Sequence, residues 1–125
     1  MSIERKNYVH LDQPVGPYVH TVKHNGLLYL SGLTAFGSTA QGGDIAAQAE
    51  TIFVQIKSIA EAEGVGLASL LKVTIFITNF DDVSRLREVL FRNYGKNLPA
   101  SSLVQVARLF SPEINIEVEA TLATL

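Results

Sequence analysis

Side chains able to do chemistry are few and scattered in this 125-residue chain, which has no cysteine, no tryptophan and three histidines. The missing thiol excludes a thiolate metal site, a cysteine nucleophile, a disulfide framework and redox chemistry on sulfur. His10, His20 and His24 form no metal-ligand pattern of the H-E-x-x-H kind, and no second cluster of carboxylates joins them. Ser101 has no His or Lys at a spacing that would set a base beside it, so a serine-hydrolase arrangement is not implied. Gly37 to Gly43 (GSTAQGG) lacks the Lys-Ser/Thr ending of a phosphate loop and reads as a connection. Arg85, Arg92 and Lys96 share one helical face, with Arg87 off to the side, but no aromatic residues for base stacking are interleaved with them. The other polar grouping lies near the C-terminus, where Asn115, Glu117 and Glu119 alternate with Ile114, Ile116 and Val118 and so share one face of a strand.

The elements that must position these residues follow from local signals. Tyr18 to Lys23 and Leu27 to Leu33 flank Asn25-Gly26, the step that closes two-residue hairpins because both residues tolerate positive φ. Asp44 stands at an N-cap. Ile45, Ala49, Ile52, Phe53, Ile56, Ile59 and Ala60 then recur at three- and four-residue steps up to Gly64, which predicts an amphipathic helix of about five turns. The β-branched run inside Leu70 to Thr78 suits a central strand. Asp81 or Asp82 caps a second helix with Val83, Leu86, Val89, Leu90 and Tyr94 on its inner stripe. Ser102 to Leu109 and Ile114 to Leu122 are two further strands, and Arg5 to His10 is a candidate short one. Two helices cannot cover both faces of such a sheet, so the expectation is one α+β domain over residues 1–125, a two-layer mixed sheet with both helices on one face. The semi-polar other face then favours burial against further subunits, with a polar pocket between them.

Bulk properties agree with a small domain. A chain of this length buries roughly two thirds of the surface its unfolded form exposes. Net charge is -2, which gives no general attraction to phosphate backbones, and a nucleic-acid partner is not expected. The apolar runs are too short for a membrane span, and no signal-like stretch follows Met1, so a cytoplasmic setting is the expectation.

Gly16-Pro17-Tyr18, Leu30-Ser31-Gly32, Asp44 to Glu50 (DIAAQAE), Leu71 to Asn79 (LKVTIFITN), Pro99-Ala100, Val106 to Leu109 (VARL) and Ile116 to Ala120 (IEVEA) resemble, in the same order, the RidA family, also called YjgF or L-PSP. The resemblance spans nearly the whole chain. It implies a chorismate mutase-like fold, a homotrimer with three small-molecule clefts between subunits, and hydrolysis of enamines and imines to a 2-keto acid and ammonia without cofactor or metal. Residue by residue, Tyr18 resembles the cleft tyrosine, Ser31 and Gly32 the segment along the ligand, and Glu119 the glutamate assigned to the attacking water. Tyr18 and Glu119 are thus the catalytic candidates; Ser31, Gly32, Leu33, Ser101 and Leu103 are the ligand-binding ones. Three positions depart from the family. Ser101 stands where active members carry an arginine that clamps the substrate carboxylate, Leu103 where many carry cysteine, and Leu33 where glutamine is common. Weak or absent hydrolysis of keto-acid imines is therefore expected of a divergent member, with two alternatives: a non-catalytic metabolite-binding trimer, or a pathway-specific deaminase of aminomuconate-like compounds. Arg108 is the nearest other cation in sequence, and strand alternation would turn it away from Ser101.

Overall fold

In the computed structural model, which describes residues 2–124, the chain runs β1 (Glu4–Lys6), β2 (Thr21–His24), β3 (Leu27–Leu33), α1 (Ile45–Ala62), β4 (Leu70–Ile77), α2 (Val83–Tyr94), β5 (Ala100–Gln105) and β6 (Ile116–Ala123), with a short 3-10 turn at Leu67–Ser69. The strands form one sheet in the order β1-β2-β3-β6-β4-β5, antiparallel except for the parallel pair β4 and β5 that α2 connects. The Asn25-Gly26 turn forms as the sequence predicts, with φ of 54° and 76°. The Asp44 carboxylate caps α1 by accepting from the Ala47 N–H at 2.8 Å, and Gly64 follows the helix with φ 79°.

One core fills the space between helices and sheet. Ile52, Phe53, Ile56 and Ile59 of α1 and Leu86 and Val89 of α2 meet Val73, Ile75, Ile77, Ile116, Val118 and Leu122 of the sheet, all nearly or fully buried. Each such side chain contributes about 1.5–3 kcal/mol on leaving water. Gln48 is buried among them without cost, because its amide spans the Gly43 and Glu113 carbonyls and the Asn115 N–H. The alternate side chains, among them Tyr29, Glu119, Phe76 and Val104, occupy the face away from the helices. Tyr29 and Val104 are exposed there.

Strand boundaries shift from the sequence expectation by one or two residues at Ala100, Ile77 and both ends of β6, and by more at three places. The second strand begins at Thr21, and Tyr18 lies in the Gly16-Pro17 turn ahead of it, where its N–H reaches the Gly16 carbonyl. The strand expected over Ser102 to Leu109 leaves the sheet after Gln105, because its partner β4 ends at Ile77 and only the Val106 N–H still finds a carbonyl there. Arg108 is consequently in an exposed loop, and strand alternation does not govern it. At the N-terminus only Glu4–Lys6 pairs as a strand. Tyr8 instead turns into the core, with its hydroxyl on Thr21 and Glu63.

Candidate functional site

A bulge between β3 and β6 builds the site. Leu30 pairs with Ala120 and Leu33 with Val118, so Ser31 and Gly32 together face the single residue Glu119. The extra residue re-aims the end of β3, and the open side of the bulge is taken by the Glu117 side chain, which lies against Gly32 where any Cβ would collide with it. The cleft that results has a volume of about 640 Å³. Tyr18, Ser31, Gly32 and Leu33, four of the sequence candidates, line it together with Glu117.

Hydrogen bonds fix the walls. The Tyr8 N–H donates to Nδ1 of buried His20 at 2.9 Å, so Nε2 must carry the proton and donate to the Asp12 carbonyl at 2.8 Å. The neutral imidazole thereby pins the segment that carries Tyr18. The Val15 N–H points at the Tyr18 hydroxyl oxygen at 3.4 Å, which leaves the phenol proton to be donated elsewhere. Ser31 is less available, because its hydroxyl donates to the Val19 carbonyl at 2.6 Å. Gln55 of α1 donates to the Thr34 carbonyl and holds the strand after the bulge. Phe36 and Phe110, with ring centroids 4.9 Å apart, make an apolar lip.

Electrostatically the cleft is acidic. Among the described residues its lining includes Asp12, Glu117 and two histidines but no lysine or arginine. Burial, together with the nearby charge of Glu119, raises the proton affinity of Glu117 above that of an ordinary glutamate. A carboxyl of this kind can give and take a proton nearer neutrality. Glu119 itself is exposed on the face away from the helices and does not line the cleft. The sequence motif IEVEA puts both glutamates on one face; only the register of the bulge separates them.

The remaining candidates lie elsewhere. Ser101 faces the helices, in register with Val73, and lines a separate groove of about 270 Å³ with Arg87, Leu90, Phe91, Tyr94, Leu98 and Pro99. Leu103 is packed against the hydrophobic core. Within one chain, cleft and groove share no lining residue. No group of three or more metal-ligating side chains occurs among the described residues. Nor is any helix of the described residues long and apolar enough to cross a membrane.

Comparison with known proteins shows which family the chain and its fold resemble. The family profile described as endoribonuclease L-PSP matches residues 10–124. A RutC family protein of Pyrococcus horikoshii is 32% identical over 112 residues, covering 86% of this chain and 87% of that protein. The 2-iminobutanoate/2-iminopropanoate deaminase of Escherichia coli K12 is 33% identical over 111 residues, covering 85% and 86%. Among solved structures, RidA from the Antarctic bacterium Psychrobacter superposes with a TM-score of 0.80 at 33% identity, over 89% of this chain and 91% of that one.

Proposed function

Because the chain belongs to the RidA/YjgF/L-PSP family, we propose that it hydrolyses 2-imino acids and their enamine tautomers to a 2-keto acid and ammonia, without cofactor, in clefts between subunits of a homotrimer. The observation that carries this reading is Glu117, a carboxyl of raised proton affinity held against Gly32 in the cleft that Tyr18 also lines. The deaminase name of relatives at about one-third identity supports the same reaction.

The chemistry follows from these groups. Water adds its oxygen to the C=N carbon as the Glu117 carboxylate takes one of its protons, while the imine nitrogen gains a proton from the Tyr18 hydroxyl. In the carbinolamine so formed, Glu117 returns its proton to nitrogen, the C–N bond breaks, and ammonia leaves. Tyr18 recovers its proton from the hydroxyl that becomes the keto oxygen. One imine and one water give one keto acid and one ammonia. Glu119 is not required to touch substrate, and its charge keeps the proton affinity of Glu117 high.

The trimer accounts for two features of the single chain. The sheet face away from the helices leaves Tyr29 and Val104 exposed, and the Ser101 groove is separate from the Glu117 cleft. Apposition of one subunit's groove and the next subunit's cleft joins them into one site. The ribonuclease of the family description would need a free cationic face, whereas Arg85 and Arg92 are engaged by Asp44 and Glu50, each at 2.9 Å.

The test is release of keto acid and ammonia from 2-iminobutanoate generated in place, with sedimentation to count chains. Rates above buffer from a three-chain particle are expected. Glu117→Gln and Ser101→Trp chains, each inactive alone, should regain activity when refolded together. A monomer, or a native rate equal to buffer, would overturn the reading; in the latter case keto-acid binding would identify a non-catalytic carrier.

A further inference from the structure

We infer that the groove between α2 and β5 binds a carboxylate, and that its cation is Arg87, which supplies from the helix the guanidinium that position 101 lacks. Arg87, Leu90, Phe91 and Tyr94 follow one another at helical spacing and form the wall of the groove opposite Ser101. The arginines of α2 divide by partner. Arg85 and Arg92 are tied to α1 by Asp44 and Glu50, while Arg87 has no carboxylate within ion-pair distance among the described residues, and no Asp or Glu lines the groove. A guanidinium over an apolar floor of leucine, phenylalanine and proline favours a planar two-oxygen anion with a short alkyl body.

The wall also limits what can bind. Tyr94 is 8% exposed, its hydroxyl is closed to solvent and its ring stands edge-on to Phe53 of the core, so it meets the groove as an apolar surface and leaves Arg87 and Ser101 as the polar groups across it. At about 270 Å³ the groove has room for a small acid. The identity of that acid as a 2-imino or 2-keto acid rests on the function proposed above, whose catalytic cleft contains no lysine or arginine of its own.

The experiment titrates 2-oxobutanoate, with its methyl ester as the uncharged control, into the native protein and into Arg87→Met. The native protein should prefer the acid, and Arg87→Met should weaken it about ten- to hundredfold. Arg87→Lys should recover part of the loss, because it keeps the charge without the fork, and adding Ser101→Arg to Arg87→Met should restore binding from the opposite wall. Lys96→Met should bind as the native protein does, and since Arg87 is exposed and unpaired its variants should melt at the native temperature. Equal binding of acid and ester, or unchanged binding by Arg87→Met, would overturn the inference. Parallel imine hydrolysis separates it from the broader reading. Native hydrolysis that survives Arg87→Met leaves a deaminase with another clamp; Arg87-dependent binding with no hydrolysis leaves the carboxylate site and removes the deaminase.

Discussion

Two partly buried glutamates of this domain have opposite surroundings. Glu63, just past α1, receives hydrogen bonds from Lys6 at 3.0 Å, Lys23 at 3.3 Å and the Tyr8 hydroxyl at 2.8 Å. Burial favours its protonated form, but these three donors together outweigh burial, and its pKa falls below the usual glutamate value. Glu117 is buried without any hydrogen bond among the described residues and faces a second negative charge, so its pKa rises. Satisfaction makes the first a structural clasp between the N-terminal segment and α1; lack of it leaves the second with a raised proton affinity.

The largest effect that sharpens this contrast is catalytic. Glu117→Gln should cut imine hydrolysis by about 10²- to 10⁴-fold, while thermal melts at neutral pH show equal or slightly greater stability, because an unfavourable buried charge has been removed. A variant that unfolds would instead make Glu117 a structural residue. Next comes Gly32→Ala, whose Cβ would occupy the place of the Glu117 carboxylate. The side chain must swing aside, and steady-state rates should drop about ten- to hundredfold with the fold retained.

Glu63→Gln should leave rates nearly unchanged and cost about 1–2 kcal/mol in urea melts; the loss is small for so many bonds because Lys6 is half in solvent. The signs of the pH dependence differ accordingly. The lowered pKa of Glu63 gives stability that is present above the ordinary glutamate pKa and lost as pH falls through the folded-state value. The raised pKa of Glu117 does the reverse: its contribution is full below the ordinary value and lost as pH rises through the folded one. Acid melts of the two glutamine variants should therefore depart from the native curve in opposite directions. The smallest effect is Glu119→Gln, which should move the acid limb of the rate profile to lower pH by less than about one unit, as expected for one partly screened charge.

Residues read well from sequence are those whose signals are local. The Asn25-Gly26 turn, the Asp44 cap and the helical stripe from Ile45 to Ala60 depend on neighbours a few positions away, and they lie where the spacing predicts. Glu117 is hidden by a non-local fact. Alternation makes it equivalent to Glu119, and although the pairing of β3 with β6 sets Glu119 opposite the Ser31-Gly32 bulge, the side chain that lies against Gly32 is that of Glu117. Arg87 is masked for a similar reason: grouped by charge it is the odd member beside Arg85, Arg92 and Lys96, and its place in the groove comes from the position of α2 beside β5. The VARL segment has strand-like composition but no partner beyond Gln105 to extend against.

The most direct measurement is the pH dependence of 2-iminobutanoate hydrolysis by the native protein beside Glu117→Gln. As general base Glu117 must be ionised, so the native rate should exceed buffer, fall on acidification through a pKa above the ordinary glutamate value, and lose that limb in the glutamine variant. A native rate equal to buffer at every pH, or an acid limb that persists in Glu117→Gln, would contradict the account.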